Sequence, residues 1–473
     1  MMGISSVVTV LTSAARYKFL ALHLGVEGIG RLGVLLTALT LCVTLFSVGI
    51  GSSGIRYVAA SAEDSSGATT RAALIQGSRW LALLSLGGCL LLLPFATFGD
   101  YSDLLGGLSA GLTLSLVVAI AVSVASSGPL ALLNGMGRLQ ELAKANIFGA
   151  ILGSALTVLA VFVSPQAALA TAVVSVPAVI LLFASWYARP FQSGHRLNRD
   201  ALWQRFRPML VFGLAFSGSM LLASLVQLVL RLLITRDLGI EATGHYQAAW
   251  TVANVYLGFV LTALAAEFYP RISAVAQDHV ELNAQVNAQA GIILTIGVPA
   301  VLAMMPAAPL LISLLYSADF TEAVPLLRWQ LLGDILKLMG WSLGFLMLAK
   351  EAKRVYFLSE LIWNAVFLMT ALPMVKWFGL KGLGAAYGCA YAAYLIATLL
   401  FARRVSGYVI SRRVLLAVVL ALIAGVLMEM TIMRPAMIGG NAIEAAIILS
   451  WIVFSLYHFK FNSHIIHYVR RWI

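Results

Sequence analysis

The chain has 473 residues, of which 61% are hydrophobic and only 11% are charged, whereas soluble domains carry about 25% charged residues. A water-soluble protein cannot bury that much apolar surface, and the longest polar interval, 189–207, is too short for a soluble catalytic or nucleotide-binding domain. The sequence contains no P-loop pattern, which argues against ATP-driven pumping by this chain alone, and the net charge of +12 is typical of loop cations in a membrane protein rather than of nucleic-acid binding.

Apolar runs separated by polar breaks predict an all-α, polytopic membrane protein, because each span takes about 20 apolar residues. Fourteen spans are predicted in chain order, at about 4–24, 33–55, 76–98, 108–133, 145–163, 167–188, 208–235, 246–266, 288–313, 325–349, 355–375, 380–402, 414–433 and 438–458.

The distribution of Lys and Arg predicts the orientation of the chain. With both termini in the cytoplasm, the cytoplasmic segments hold 21 cations and the periplasmic segments hold six, while four lie within spans. An excess of cations in cytoplasmic loops is the usual pattern in membrane proteins. We therefore expect a multi-pass protein of the bacterial inner membrane with both termini in the cytoplasm.

The chain also repeats itself at an offset of 214–215 residues. The segment L-G-V-E-G-I-G-R at 24–31 matches L-G-I-E-A-T-G-H at 238–245, and R-Y-V-A at Arg56 matches R-I-S-A at Arg271. Six predicted spans separate the copies, and an even number inserts both halves in the same sense. This arrangement predicts two parallel six-helix lobes, which alternating-access carriers commonly use.

The predicted domains follow from this repeat. An N-terminal six-helix lobe covers 1–190, a basic cytoplasmic linker covers 191–207, and a C-terminal six-helix lobe covers 208–403. Two additional transmembrane helices and a cytoplasmic tail occupy 404–473, and they have no partner in the first half.

Several motifs in the second half resemble a known family. They include W-Q-L-L-G-D-I-L-K at 329–337, G-F-L-M-L-A-K at 344–350, R-V-Y-F-L-S-E at 354–360 and G-L-G-A-A-Y-G-C-A-Y at 382–391. The chain thereby resembles the Wzx-type lipid-linked oligosaccharide flippases of the polysaccharide transporter family, which serve O-antigen and enterobacterial common antigen. The resemblance implies the multidrug/oligosaccharidyl-lipid/polysaccharide exporter fold, with a central cavity between the two lobes.

A lipid-linked sugar carries a pyrophosphate, so its passage calls for cations inside the membrane. Arg16 and Arg231 each precede an L-G-[VI]-E turn by eight or nine residues, and the repeat gives them equivalent positions. Charges within spans cost about 2.5–3.5 kcal/mol each on insertion scales, and guanidinium groups suit phosphate oxygens. We expect both to bind substrate, with Lys18 and Lys337 as further cavity cations, although snorkelling to the interface is the competing interpretation for the two arginines.

Asp334 and Lys337 are predicted to lie in the middle of the tenth span, three residues apart on one helix face. They either neutralise each other or form a functional pair in which Asp334 couples transport to an ion. Trp329, Tyr246 and Trp250 are candidates for stacking on sugar rings, with interface anchoring as the alternative. Arg56, Glu267 and Arg271 lie at span ends, where they are assigned to a gate or loop.

These observations predict a flippase, and not an enzyme, that carries an undecaprenyl-pyrophosphate-linked oligosaccharide across the inner membrane by alternating access. A cation-coupled multidrug exporter of the same fold and a membrane glycosyltransferase or polymerase are the alternatives. The resemblance implies contacts with membrane lipids, a polysaccharide polymerase and a chain-length regulator. No cofactor, catalytic residue or nucleic-acid partner is expected, and the scattered histidines show no metal-ligand spacing.

Overall fold

The computed structural model describes residues 2–61, 67–98, 109–192, 197–433 and 440–459. Throughout these ranges the chain forms helices and turns and contains no strand. Helices suit a lipid environment because each one satisfies its own backbone N–H and C=O groups. The predicted all-α, polytopic fold is confirmed.

The described ranges contain fifteen α-helices. Those before the middle of the chain are α1 Met2–Ser47, α2 Ile50–Ala60, α3 Gly67–Phe98, α4 Ala110–Gly135, α5 Leu139–Val161, α6 Pro165–Ala188 and α7 Arg199–Leu238. The others are α8 Ile240–Thr251, α9 Leu257–Ala274, α10 His279–Leu315, α11 Ala323–Ala349, α12 Lys353–Phe378, α13 Leu380–Ser406, α14 Arg412–Ile432 and α15 Gly440–His458. A π-helical turn, Val252–Tyr256, joins α8 to α9.

Eleven stretches of the described helices are long and apolar enough to cross a membrane. The first, Ser5–Ser47, has 43 residues and is divided at Gly25, so it supplies two spans. The α8–α9 segment and the shorter apolar helix Ala442–His458 add to these. The outcome agrees with the prediction of about fourteen spans. Parts of the predicted linker (193–196) and tail (460–473) lie outside the described residues.

Short polar side chains start several helices by satisfying N–H groups that have no partner within the helix. The side-chain oxygens of Ser109, Ser164, Asn198 and Ser411 accept hydrogen bonds from the backbone N–H three residues further on, at the starts of α4, α6, α7 and α14. Such a cap contributes about 1 kcal/mol to helix stability. These residues interrupt the apolar runs, which is why the predicted span boundaries fall close to them.

Three chain reversals depend on single glycines in a backbone conformation that other residues avoid. Gly25 has φ 66° and ψ −168°, Gly239 has φ 91° and ψ 167°, and Gly379 has φ 60° and ψ −142°. Only glycine adopts this region without strain, because it lacks a Cβ. Gly25 and Gly239 are matching positions of the sequence repeat, so the structure supports the duplication at the level of backbone geometry.

The two copies of the glycine motif also contact each other reciprocally. A Cβ on Gly30 would overlap the carbonyl oxygen of Ile240, and a Cβ on Gly244 would overlap the carbonyl oxygen of Val26. Gly30 matches Gly244 in the repeat, and Val26 matches Ile240. The contact therefore has local two-fold symmetry, and it brings the backbones too close for any side chain between them.

The structure corrects one predicted boundary. The sequence suggested a loop at 25–32 followed by a span at 33–55, but the chain reverses at Gly25 alone and the helix continues to Ser47. Glu27 and Arg31 lie one turn apart on this helix and form an ion pair of 2.6 Å. The second helix then ends at Val48 and Gly49, both with positive φ, before α2 begins.

The chain divides into two compact units. Unit 1 comprises Met1–Gly244 with Leu315–Ser317, and unit 2 comprises His245–Leu314 with Ala318–Ile473. Within unit 1, α7 packs against α1, α2 and α3. Within unit 2, α11 packs against α13, α12 and α14. The predicted lobes at 1–190 and 208–403 are drawn from the repeat rather than from contacts, and those boundaries stay a prediction.

Candidate functional site

Arg16 projects from the middle of the first helix of unit 1 and is half-buried. Its Nη1 donates a hydrogen bond of 3.4 Å to the carbonyl oxygen of Ala172 on α6, and its Nε is buried without a hydrogen-bond partner. The guanidinium carbon lies 5.6 Å from the centre of the Tyr17 ring. One long neutral contact leaves most of the hydrogen-bonding capacity of this guanidinium available to an anion.

Arg231 lies on α7 and is only 3% exposed. Its Nη1 donates to both oxygens of Gln227, at 3.2 Å to the backbone carbonyl and 2.8 Å to the side-chain amide. The side chain therefore bends back along its own helix instead of reaching outward to a headgroup. A cation this deeply buried argues against the snorkelling interpretation for Arg231.

Tyr17 lies beside Arg16 on α1. Its ring packs against Tyr316 at 6.1 Å between centroids. Because α1 packs against α7, unit 1 brings together the two cations that the repeat singled out. We call Arg16, Tyr17, Gln227 and Arg231 the arginine cluster. Lys18 is half-buried on the next position of α1.

Unit 2 holds a second charged group, on α11. Asp334 is completely buried, and one of its oxygens lies 3.4 Å from the ammonium of Lys337 and accepts a 2.8 Å hydrogen bond from the Tyr387 hydroxyl. Lys337 also donates to Asn254 at 3.0 Å and to the Tyr387 hydroxyl at 3.3 Å. We call Asn254, Asp334, Lys337 and Tyr387 the buried network.

The buried network is incompletely satisfied. Among the described residues, the second carboxylate oxygen of Asp334 has no hydrogen-bond partner, and neither the amide oxygen nor the amide nitrogen of Gln330, one turn earlier on α11, has one. Both residues are fully buried. Unpaired polar atoms in such a place are costly, about 1–3 kcal/mol each.

Aromatic rings surround the buried network. Tyr387 makes edge contacts with Trp250, Trp363 and Phe367, at centroid distances of 6.0–6.3 Å, and the Lys337 ammonium lies 5.7 Å from the Tyr391 ring centre. This environment excludes water, so the attraction between Asp334 and Lys337 is stronger here than at a surface.

Sequence reasoning missed two members of this network. Tyr387 lies within the quoted motif G-L-G-A-A-Y-G-C-A-Y but attracted no role, and Asn254 is an isolated polar residue in an apolar run. Asn254 belongs to the π-helical turn that joins α8 to α9. Such turns occur often at functional positions because the extra residue redirects a side chain. An isolated amide in a span was the available signal.

The three predicted sugar-stacking residues lie in different surroundings. Tyr246 is fully buried and stacks on Trp250 at 5.8 Å, so neither ring face of Tyr246 is accessible in this conformation. Trp250 is half-buried, with its ring against Tyr387. Trp329 is half-buried and its Cβ sits against Gly384. Stacking on a sugar stays a prediction for all three.

The predicted gate residues are accessible. Arg56 is exposed and lies over the Phe212 ring at 4.4 Å, and Glu267 is exposed. Arg271 donates a 2.9 Å hydrogen bond to Gln289. Their role in a gate stays a prediction. In the part of the chain that the structure describes, no group of three or more His, Cys, Asp or Glu side chains is arranged to hold a metal ion.

Comparison with known proteins places the chain in a family. The model of a family described as "Polysaccharide biosynthesis protein" matches residues 24–325, which is more than half of the chain. Two curated relatives, the lipid III flippases of Escherichia coli (strain K12) and Shigella flexneri, are each 25% identical over 167 residues. This alignment covers 35% of the chain and only 40% of each relative.

Solved structures establish the fold. An inward-facing multidrug resistance MATE family transporter of the MOP superfamily superposes with a TM-score of 0.69 at 17% identity, covering 84% of this chain and 95% of that one. The lipid II flippase MurJ, in an inward closed conformation, gives 0.67 at 13% identity and covers 97% and 98%. The chain is a multi-pass membrane protein with the MOP superfamily fold, and it belongs to the polysaccharide biosynthesis protein family.

Proposed function

We propose that this protein is a flippase that moves an undecaprenyl-pyrophosphate-linked oligosaccharide from the cytoplasmic to the periplasmic leaflet of the bacterial inner membrane by alternating access. The observation that carries the proposal is the arginine cluster, in which α1 and α7, two helices of unit 1 that pack together, each carry a guanidinium inside a predicted span. Family membership and the names of the lipid III flippase relatives support the class of substrate.

The proposed chemistry is recognition of a diphosphate without any covalent step. Arg16 and Arg231 supply two cations for the pyrophosphate, and Lys18 and Lys337 are further cations along its path. A guanidinium pairs with two phosphate oxygens at once, which offsets the cost of taking the anion out of water. The sugars of the substrate then pass along polar or aromatic surfaces of the cavity, and Trp329 and Trp250 are the candidate residues for stacking on them.

Asp334 is the proposed coupling residue. It either takes up a proton or a cation at its free oxygen or, when neutralised, releases Lys337 towards the substrate. This part of the proposal also serves the alternative function, a cation-coupled multidrug exporter, because the MATE transporters share the fold. A buried arginine, Arg231, and a half-buried one, Arg16, favour an anionic cargo over the cationic drugs that an exporter of that kind would carry.

The direct test is transport by the purified protein in liposomes. We expect a fluorescent undecaprenyl-pyrophosphate-linked oligosaccharide to become accessible to a membrane-impermeant probe at a rate that depends on the protein. A matched undecaprenyl monophosphate should move more slowly, because it lacks the second phosphate. Drug efflux in cells without transport of the lipid-linked sugar would support the exporter and contradict our proposal.

Orientation and neighbours complete the proposal. Both termini lie in the cytoplasm, as the bias of cations between loops indicates. A polysaccharide polymerase and a chain-length regulator are the proposed partners on the periplasmic side, since a translocated unit must be consumed there.

A further inference from the structure

A second anion-binding feature lies within unit 2, away from the residues discussed so far as substrate ligands. A cavity of about 860 Å³ opens where the starts of α10 and α14 meet the end of α15. Three guanidinium groups line it, those of Arg271, Arg412 and Arg413, against a single carboxylate, Glu281. That carboxylate already accepts a 2.8 Å hydrogen bond from Gln285.

Several polar atoms at this cavity have unused hydrogen-bonding capacity. The Nε of Arg271 and the Oε1 of Gln285 are buried without a partner in the part of the chain described. Arg412 and Arg413 are exposed and adjacent at the first turn of α14, where the helix dipole adds to their positive charge. The lining therefore carries an excess of positive charge and one unpaired donor, the Nε of Arg271, and both features fit a phosphate group.

Beside these polar groups, part of the lining is apolar. Gly291, Ile292, Val414 and Phe459 line the cavity, and the Phe459 ring packs so closely on Gly291 that a Cβ there would touch it. One residue beyond Val414, α14 begins a face of exposed aliphatic side chains. These are Leu415, Leu416, Val419, Ile423, Val426 and Leu427, each more than 40% exposed. A cationic cavity at one end and an exposed aliphatic surface at the other suit an amphiphilic ligand with an anionic head and an acyl chain.

We infer that this cavity is a binding site for the phosphate headgroup of an anionic glycerophospholipid, with one acyl chain lying along α14. Basic pockets between transmembrane helices on the cytoplasmic side characteristically bind such headgroups. The inference assigns a role to the two C-terminal helices that have no counterpart in the repeat: they provide most of the cationic lining and hold a structural lipid.

A soluble phosphate compound would not require the apolar lining beside α14. The pyrophosphate of a transported lipid is the competing occupant, since it has the same chemistry. Phospholipid is favoured because the lining combines residues from two helices of the repeated fold, α9 and α10, with the helices that lie outside the repeat. A resident lipid can be retained there throughout transport.

Native mass spectrometry of the full-length protein tests the inference by titration with phosphatidylglycerol and, separately, phosphatidylcholine. We expect retention of phosphatidylglycerol, and a loss of about fivefold in its affinity for each arginine removed in the double variant Arg412→Gln/Arg413→Gln. The matched control is Arg403→Gln/Arg404→Gln, a second exposed arginine pair at the end of α13 that does not line the cavity. The control should bind phosphatidylglycerol as the unaltered protein does.

Four outcomes would overturn the inference. Equal losses in the two double variants would mean general attraction of anionic lipid to a basic surface. Retention of phosphatidylcholine as strong as that of phosphatidylglycerol would show that the site does not select for the anionic headgroup. Displacement of phosphatidylglycerol by undecaprenyl pyrophosphate would assign the cavity to the substrate, and displacement by millimolar inorganic phosphate would assign it to a soluble anion. Melting temperatures without added lipid should match in all variants, which separates binding from folding.

Discussion

At the scale of single residues, the ammonium of Lys337 has one charged partner and two neutral ones. Asp334 balances its charge, while Asn254 and the Tyr387 hydroxyl accept two of its hydrogen bonds. The same hydroxyl donates to Asp334, so the three side chains form a closed set. Removing one charge from such a set leaves the other without compensation in a medium of low polarity.

We therefore predict that Asp334→Ala destabilises the protein by about 3–5 kcal/mol and that Asp334→Ala/Lys337→Ala recovers part of this loss. Thermal unfolding in detergent and the amount of folded protein in the membrane measure both. If Asp334 couples transport to an ion, the double variant folds but carries no substrate. A double variant less stable than Asp334→Ala would rule out mutual neutralisation.

The arginine cluster gives the second prediction at this scale. Arg16→Ala and Arg231→Ala should each slow transport of the lipid-linked oligosaccharide by about 10- to 100-fold, the worth of one lost charged hydrogen bond, with near-normal protein levels. The lysine replacements keep the charge but lose the planar fork, so they should retain intermediate activity.

Arg31→Ala is the matched control for the arginine cluster. Arg31 belongs to α1 as well but is engaged at the surface by Glu27. The double variant of Arg16 and Arg231 should add little to either single change, because one guanidinium cannot hold both phosphates. Unchanged transport in both single alanine variants would end the diphosphate argument.

At the scale of helices, the close approach of two backbones in unit 1 carries a prediction. Gly30→Ala and Gly244→Ala each push a methyl group into a carbonyl oxygen of the other repeat copy. Because backbone cannot move aside as a flexible side chain does, each change should cost about 1–3 kcal/mol of stability.

Gly51→Ala is the control for this prediction, since that helical glycine has no atom near the position of an added Cβ. It should be neutral or stabilising by up to about 1 kcal/mol, the gain in helix propensity. Apparent melting temperatures in detergent compare the three variants. Equal shifts in all three would show that the backbone contact is unimportant.

The connection between α13 and α14 depends on Asn287 of α10. Its side-chain oxygen accepts from the Tyr408 hydroxyl at 3.0 Å and from the backbone N–H of Ser411 at 2.9 Å, and its amide donates to the carbonyl of Val409 at 3.1 Å. Burial raises the pKa of Tyr408, so this hydroxyl keeps its proton, and its contribution to stability is lost only as the pH rises above about 10.

Asn287→Leu should therefore free the 407–411 connection while keeping the bulk of the side chain. We expect faster deuterium exchange at the Ser411 amide and a stability loss of about 1–3 kcal/mol. Gln285→Leu, on the same helix but with a side-chain bond only to exposed Glu281, is the control. Exchange at Ser411 that is unchanged in Asn287→Leu would show that the connection is held elsewhere.

At the scale of the whole molecule, topology is the prediction that cysteine labelling decides. In a variant without Cys42, Cys89 and Cys389, a cysteine at exposed Val409 should react only with reagents that reach the cytoplasm. A cysteine at exposed Ala318 should react from the periplasm. Three predicted spans, α11, α12 and α13, lie between them. Labelling of both from the same side would contradict this odd count and with it the predicted orientation.

Features that depend on a local stretch of sequence could be predicted, and features that depend on packing between distant helices could not. Long apolar runs are local, so the helices and the isolated charges within them could be predicted, as could the pairing of Asp334 with Lys337 on one helix face. Tyr387 and Asn254 acquire their roles only when α8, α11 and α13 pack together, and no local pattern records that packing. The turn at Gly25 was predicted, but its length was overestimated because Glu27 and Arg31 looked like loop residues, whereas they pair on the exposed side of the helix that resumes there.

The reciprocal glycine contact has a consequence for the history of the chain. In this contact, residue i of the first copy touches residue j of the second, and residue j of the first copy touches residue i of the second. Two identical subunits related by a two-fold axis make the same kind of interface. In a homodimer with this interface, a single substitution would change both halves of the contact at once. Within one polypeptide that coupling is absent, and the two copies of the motif differ: Gly28 and Ile29 in the first copy correspond to Ala242 and Thr243 in the second. Gly30 and Gly244 are both glycine because the main chains touch at both positions, and a side chain at either one would overlap a carbonyl oxygen.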